Sequence, residues 1–397
     1  MTRPHEATPD ELDDWDRLAV DRPGGHVYQS RAWAEHRAGQ GWRPRFLAWE
    51  DGERALALAR PWPLVGGAGG YVPRGPRPVA GAGAEVAERL VGLAEHLAAE
   101  GVDVLAADPE VPAADGGYRR ALGAAGFRPI EELQPSRHRM TRPLEGLDED
   151  GAMAAVAKST RQRIRQAERA AVRVVRHDVR AGAGDAGEGF EYPAEPGDVA
   201  LDRFYDLLLE TGERRGFGFG SRTDFVGWWR AALAAGHLVL LEAWPPCGAG
   251  EAGSPGSGRG DDGRGPLAGL ILYRHGERLS TVHSGDRADA RRDQPGALHL
   301  LRWRAMQLAI REGRAELDLG GVDVPGARRE PRRGDPMWGL YEHKRTFGGE
   351  WLELAGAHER VARPVRYAAG RIALRAARLL GGRPGRIFAP GRRTGSS

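Results

Sequence analysis

Residues 89–110, RLVGLAEHLAAEGVDVLAADPE, and residues 300–325, LLRWRAMQLAIREGRAELDLGGVDVP, are two copies of one pattern. In the first copy Leu90, Leu93, Ala94 and Leu97 recur at helical spacing and mark an amphipathic helix. Gly101 stops that helix, and residues 102–106 read as a short buried strand closed by Asp108-Pro109. The second copy repeats the order: a helix, a stop at Gly313, and a strand over 315–319 closed by Gly320-Gly321.

The flanks of the two copies match as well. Before the first, residues 45–49 and 54–60 form a hairpin about Asp51-Gly52; before the second, residues 237–244 and 267–273 form another. A Gly/Ser/Asp-rich insertion at about 247–265 interrupts the second hairpin and reads as disordered. After each copy come a helix (118–126 and 340–347) and an apolar return (127–130 and 350–354). The chain therefore predicts an α/β (α+β) protein that holds two copies of one unit. This element order resembles a duplicated GNAT acyltransferase fold. The expected boundaries are 1–145 and 146–355. Residues 356–397 are expected to pack back on the first domain and to end in a disordered tail.

Between the copies lies a basic helix read over 154–171, then a glycine-rich excursion at 182–189, then a helix over 202–215 stopped by Gly216. A C-terminal helix over 366–380 carries Arg371, Arg375 and Arg378 on one stripe and Ile372, Ala376 and Leu379 on another.

Composition narrows the function. The net charge is only +3, yet residues 158–180 carry eight basic residues against two acidic ones, and after Glu359 there are ten basic residues and no acid. Such segments suit phosphate-bearing partners or a membrane surface, and equally a solvated face. No stretch is long and apolar enough to span a membrane, and the polar, acidic opening reads as a cytoplasmic protein without a secretory signal. The single cysteine, Cys247, excludes an internal disulfide and a cysteine zinc cluster, and in its loop it reads as an incidental thiol. His26, His36 and His96 show no metal-ligand spacing, and GFGFG at 216–220 follows a helix instead of opening one, against a dinucleotide site. Of 58 basic residues only Lys158 and Lys344 are lysine. Lysine, unlike arginine, is a compact charge with a movable pKa, which directs attention to these two.

The segment GLYEHKRTFGGE at 339–350 contains Lys344, which taken alone reads as a solvent-facing helix lysine. With its surroundings the segment resembles the FemAB family motif, commonly LYxFKxxFGGE. Five further stretches are similar to that family and fall in its order: Gln29-Ser30 with Trp33 and Gly41-Trp42; YVPRGP at 71–76; KSTRQRIR at 158–165 with Ala167-Glu168; Glu210-Thr211 with Arg214 and Gly216-Phe217; and DLGGV at 318–322. No long helical arm is visible, so the chain resembles the compact members.

The resemblance implies two GNAT-like domains with a substrate channel between them, an aminoacyl-tRNA donor, and a peptidoglycan precursor (lipid II or UDP-MurNAc-pentapeptide) as acceptor, with no cofactor and no metal. The reaction would be aminolysis of an ester, which needs positioning and stabilisation of an oxyanion but no covalent enzyme intermediate. Lys344 takes the position for charge stabilisation. Arg37 and Arg214 take the positions of the family's phosphate-binding pair, where the first is usually lysine. Asp108 falls at the family's D-P and is either a proton acceptor or a strand-end turn residue. Trp33, Tyr71, Lys158 and His343 complete the implied substrate-binding set. The basic helix faces either tRNA phosphate or solvent. The C-terminal basic stripe fits a peripheral contact with the inner membrane surface.

The chain departs from the family where a Y-x-Y-G is replaced by Thr281-Val282-His283-Ser284, and where His343 stands for the usual phenylalanine. Two other readings stay open. One is an acyl-CoA N-acyltransferase acting on a small amine or polysaccharide sugar, although residues 287–297 lack the usual glycine-rich coenzyme A loop. The other is a tRNA- or membrane-binding protein without catalysis.

Overall fold

The computed structural model describes residues 3–79, 81–134, 137–182, 187–216, 218–246, 265–293, 296–322, 324 and 329–379. Cys247, nearly all of the 247–265 insertion, part of the 182–189 excursion, Phe217 and the tail beyond 379 lie outside the described residues. The chain divides into two compact units, residues 1–139 with 352–397, and residues 140–351.

In chain order the first unit contributes β1 (His5–Glu6), β2 (Arg43–Ala48), β3 (Arg54–Pro61), β4 (Ala68–Val72), β5 (Val102–Ala107) and β6 (Arg128–Pro129). The connecting chain forms β7 (His138–Pro143). The second unit contributes β8 (Arg173–His177), β9 (Leu238–Trp244), β10 (Ala268–His275), β11 (Arg278–Asp286), β12 (Glu316–Gly321) and β13 (Glu350–Glu353), and the returning chain forms β14 (His358–Val361). One sheet has the order β1-β2-β3-β4-β5-β14-β6 and the other β8-β9-β10-β11-β12-β7-β13. Position by position these are the same sheet. β4 and β5 run parallel, as do β11 and β12. The sixth position of each sheet is filled by a strand from elsewhere in the chain: β14 returns to the first, and β7 leads into the second. The short β1, too polar to read as a strand, pairs with the rim of β2. Behind it Thr8 and Glu11 cap the helix Pro9–Asp13 reciprocally.

In the first unit the helix Gly83–Ala99 buries Val86, Leu90, Leu93 and Leu97 against Leu47, Leu105 and Leu122. Each such side chain contributes about 1.5–3 kcal/mol on leaving water. The alternating β3 is buried through Ala59, as a strand covered on both faces should be. The C-terminal helix Pro364–Leu379 covers the opposite face through Tyr367 and Leu374, which pack with Trp62 and Val104. Asp103, buried on β5, holds it there by accepting from Trp62 Nε1 (2.8 Å) and Arg366 Nε (2.8 Å).

In the second unit the helix Ala297–Arg311 buries Leu300, Leu301, Trp303 and Met306 over the sheet. The basic helix expected over 154–171 is the single, shorter helix Lys158–Arg169; a separate helix, Glu149–Ala154, ends before it, and between them the Ala157 N–H donates to the Thr346 carbonyl (2.8 Å). A buried arginine, Arg274, joins β10 to the rest by pairing with Asp178 (2.8 Å) and Glu312 (2.6 Å).

Candidate active site

In the first unit the parallel register of β4 on β5 sets Tyr71 beside Ala106, so its phenol reaches the residue just past the strand end. Tyr71 Oη donates to the Asp108 carboxylate (3.0 Å), and the Arg74 backbone N–H donates to Asp108 Oδ1 (2.8 Å). Arg74 lies in the left-handed region (φ 52), which turns that N–H inward, and its guanidinium is 4.0 Å from the carboxylate. Gln29 braces the same loop: its side chain donates to the Pro73 carbonyl (2.6 Å) and accepts from the Leu56 N–H (2.7 Å). Burial pushes the Asp108 carboxyl up to about 6, while Arg74 and the two donors pull it down. The same burial, with Asp108 opposite, drives the Tyr71 phenol well above its ordinary value, so it stays a donor. Asp108 is thus a buried carboxyl, hydrogen-bonded by a phenol and a backbone N–H just past the strand end.

Trp33 and Arg37 lie on the helix Arg31–Ala38, which Ser30 caps by accepting from the Trp33 N–H (3.0 Å). The Arg37 guanidinium stands 5.3 Å from the Trp33 ring centre and 5.0 Å from that of Trp42, a cation held between two indoles.

In the second unit the DLGGV and GLYEHKRTFGGE segments meet. Lys344, on the helix Trp338–Arg345, is buried, not solvent-facing, and its Nζ donates to the Gly321 carbonyl (2.7 Å) at the end of β12. Gly320 is required there: its φ is +83, and a Cβ would come within 2.8 Å of the Thr281 carbonyl oxygen and 3.4 Å of Lys344 Nζ. Phe347, wholly buried, anchors the helix end, and the Gly349 N–H returns to the Lys344 carbonyl (3.2 Å).

His343 is half-buried with its ring edge-on to His299 (5.0 Å) and Phe347 (5.5 Å). Its Nε2 accepts from Nη1 of Arg302 (2.6 Å), a buried arginine on the helix Ala297–Arg311. Burial lowers the His343 pKa to about 2, with Arg302, His299 and Lys344 adding to it; the imidazole is neutral, with its proton on Nδ1. Burial and the Arg215 charge bring Arg302 down to about 10. His283, half-buried among Phe225, Phe219 and Trp229, is lowered to about 4 by burial. This replacement for a tyrosine therefore serves as a neutral ring.

The E-T-x-x-R segment closes onto the end of β11. Arg214 donates to Asp286 Oδ1 (2.5 Å) and to its carbonyl (2.9 Å), Thr211 Oγ1 accepts from the Asp286 N–H (3.1 Å), and Glu210 accepts from the Ala288 N–H (2.9 Å). Lys158 is exposed at the start of its helix, as are Arg163, Arg165 and Arg169, while Thr160, Ile164 and Ala167 face the core. The fold brings together Tyr71 with Asp108, Trp33 with Arg37, and Lys344 with His343. Arg74, Arg302 and Asp286 were not singled out from sequence; Arg74 and Arg302 are two arginines in a chain full of them.

Among the described residues two histidine–carboxylate groups come within ligand reach of one another, Glu6 with His96 and Glu100, and His177 with Glu195 and Glu242. Arg45 pairs with Glu6 and Glu100, and Arg203 with Glu195 and Glu242, so each group already surrounds a guanidinium.

Residues 158–345 match the family model described as an acetyltransferase (GNAT) domain. No curated protein matches the chain in sequence. Among solved structures it is similar to FemX, at a TM-score of 0.70 with 17% identity, over 92% of this chain and 99% of that one. It is also similar to L-PGS from Bacillus licheniformis (TM-score 0.50, 13% identity, 96% and 99% covered). A protein of unknown function from Bacteroides thetaiotaomicron matches at a TM-score of 0.51, with 12% identity over 90% and 99%. The chain has the fold of FemX, two tandem GNAT-like domains.

Proposed function

We propose that this protein is an acyltransferase that moves an amino acid from aminoacyl-tRNA to the stem-peptide amine of a peptidoglycan precursor, lipid II or UDP-MurNAc-pentapeptide, in the cytoplasm. The observation that carries the reading is the Lys344 site: the one lysine of the second unit's core, buried beside a glycine-closed strand end, in the segment most like the family motif. A buried ammonium with a fixed carbonyl partner is pre-oriented, so it stabilises a developing oxyanion, or the neighbouring terminal phosphate, without reorganising. Asp108, in the first unit, has the chemistry of a proton acceptor. The attacking amine forms the new C–N bond, and as the tetrahedral intermediate collapses the amine's proton is passed on to the ribose oxygen, which leaves as the hydroxyl. Arg37 and Arg214 bind precursor phosphates, Trp33 and Tyr71 shape the acceptor's surroundings, His343 is a neutral wall for the aminoacyl group, and Lys158 with its helix faces tRNA phosphate.

The GNAT-domain match favours a second reading, transfer from an acyl-CoA to an amine. One experiment separates them: incubation with charged tRNAs carrying radiolabelled amino acids and with lipid II or the UDP-linked precursor, wild type beside Lys344→Ala. Label on the precursor that vanishes in the variant supports the proposal. No label on either acceptor, with acyl-CoA consumed instead, overturns it.

A further inference from the structure

The inner face of the helix Pro364–Leu379 is accounted for by Tyr367, Gly370 and Leu374, which rest on Trp62 and β5. Its outer face is not. Val365 is 86% exposed, Ile372 67% and Leu379 88%, and these three recur every seven residues on one side, with Ala368 and Ala376 exposed between them. A fourth aliphatic side chain adjoins the helix. Leu64, wholly exposed, sits in the turn between Trp62 and Gly67, both of which abut the helix: the Trp62 ring lies under Gly370, and Arg366 Nε comes within 2.6 Å of where a Gly67 Cβ would be. Leu64 is also in the left-handed region (φ 65), where a leucine is strained and a glycine would be at ease. Nothing in the unit's own packing repays an exposed, strained leucine or three bare aliphatics on one stripe.

The charge on this helix specifies what covers the stripe. From Arg360 to the end of the sequence there are ten arginines and no acidic residue. Arg363 and Arg366 share one partner, Asp103, and point away from the stripe toward it. Arg371 and Arg375 flank the stripe on one side and form no ion pair among the described residues; Arg371 rests over the Tyr367 ring (5.7 Å). An apolar line bordered by arginines whose long stems can reach outward is the pattern of a helix lying in the plane of a membrane interface. We infer that the outer face of this helix, with Leu64, docks the protein on an anionic lipid bilayer. Val365, Ile372 and Leu379 enter the acyl boundary while Arg371 and Arg375 meet lipid phosphates. The inference does not depend on which donor or acceptor the enzyme uses.

The test is flotation of the full chain with vesicles of phosphatidylcholine alone or with one third phosphatidylglycerol. The wild type should float with the anionic vesicles and leave them in high salt. Val365→Ser with Ile372→Ser should lower the partition about tenfold, and Arg371→Gln should lower it about fivefold. Val365 and Ile372 are exposed, so the melting temperature of the double variant should hold. Should the double variant melt early, Leu64→Gly relieves the backbone and removes an apolar contact without touching the helix; it should weaken partition about threefold. Absence of binding to anionic vesicles overturns the inference. So does binding that the apolar variants leave unchanged, or binding that RNA displaces in full, which would make the face a nucleic-acid site. A wild-type dimer that the double variant dissolves overturns it too, by showing that a second copy covers the stripe.

Discussion

The fifth strand of each sheet ends on opposite chemistry. In the first unit β5 runs into Asp108, a buried carboxyl held by a phenol and a backbone N–H. In the second unit the matching β12 runs into Gly320-Gly321, whose small size admits the buried ammonium of Lys344. The scaffold is the same and the helices cover it in the same order. The difference teaches that duplication supplied two equivalent strand ends, and that a carboxyl and a cation were each fitted to one of them. Neither residue is polar surface: each is desolvated and therefore perturbable.

Replacing the cation should break this division of labour most severely. Lys344→Ala should reduce the turnover of amino-acid transfer about 10²–10³-fold, the range for loss of one oxyanion stabiliser, read by single-turnover assay. Arginine, too wide for the glycine-lined strand end, should not restore it. Asp108→Asn should cost about 10²-fold, as for loss of a general base. In the wild type the rate should fall as pH drops through about 6, where the carboxyl takes up its proton, and the variant should lose that limb.

Stability should also divide the units, with opposite signs. Asp108 is raised above its unfolded value, so the folded state binds its proton more tightly. Its contribution therefore worsens as pH rises from about 4 to 6, by about 3 kcal/mol at most. His343 is lowered to about 2, so its contribution is complete above the unfolded value near 6.5 and is lost as pH falls below it. Urea unfolding of Asp108→Asn and His343→Gln against pH should remove slopes of opposite sign. His343→Phe, which takes Arg302's acceptor away, should cost about 1–3 kcal/mol at pH 7.5 in the same assay while changing transfer less than tenfold. The smallest effect belongs outside both strand ends: Lys158→Ala should weaken tRNA binding about two- to threefold and lower the salt slope by about one, uniformly across tRNAs.

The repeat was legible because each unit is built from short-range signals: helical spacing, a glycine stop, a buried strand. The sixth strand of each sheet was not, since β7 and β14 are short, arginine-bearing segments whose sheet partners are distant in sequence. Residues 358–361, HERV, pair with β5 some 250 residues upstream, and nothing local announces that. The same holds inside the sites. Lys344 stood out as one of two lysines, but its burial depends on Gly320 and Gly321, over twenty residues away. Arg302 reads like any other arginine on an arginine-rich helix until His343 is found to accept from it. Asp108 was visible as a strand-end residue, whereas its rise to about 6 comes from burial, against the downward pull of Tyr71, 37 residues earlier, and of a left-handed Arg74.

The exchange of β7 and β14 limits how the molecule can be divided. Residues 158–345, the stretch that matches a single GNAT domain, contain neither β7 nor β13, so as a fragment they would leave β12 as an open edge able to recruit strands from other chains. The first unit cut off before residue 352 would lose the strand between β5 and β6. The two sheets differ in this: residues 138–353 hold every strand of the second, whereas the first is completed only by β14, which follows the whole second unit. A fragment cut at 138 and 353 would keep one sheet whole, and either cut alone would part the other from its sixth strand.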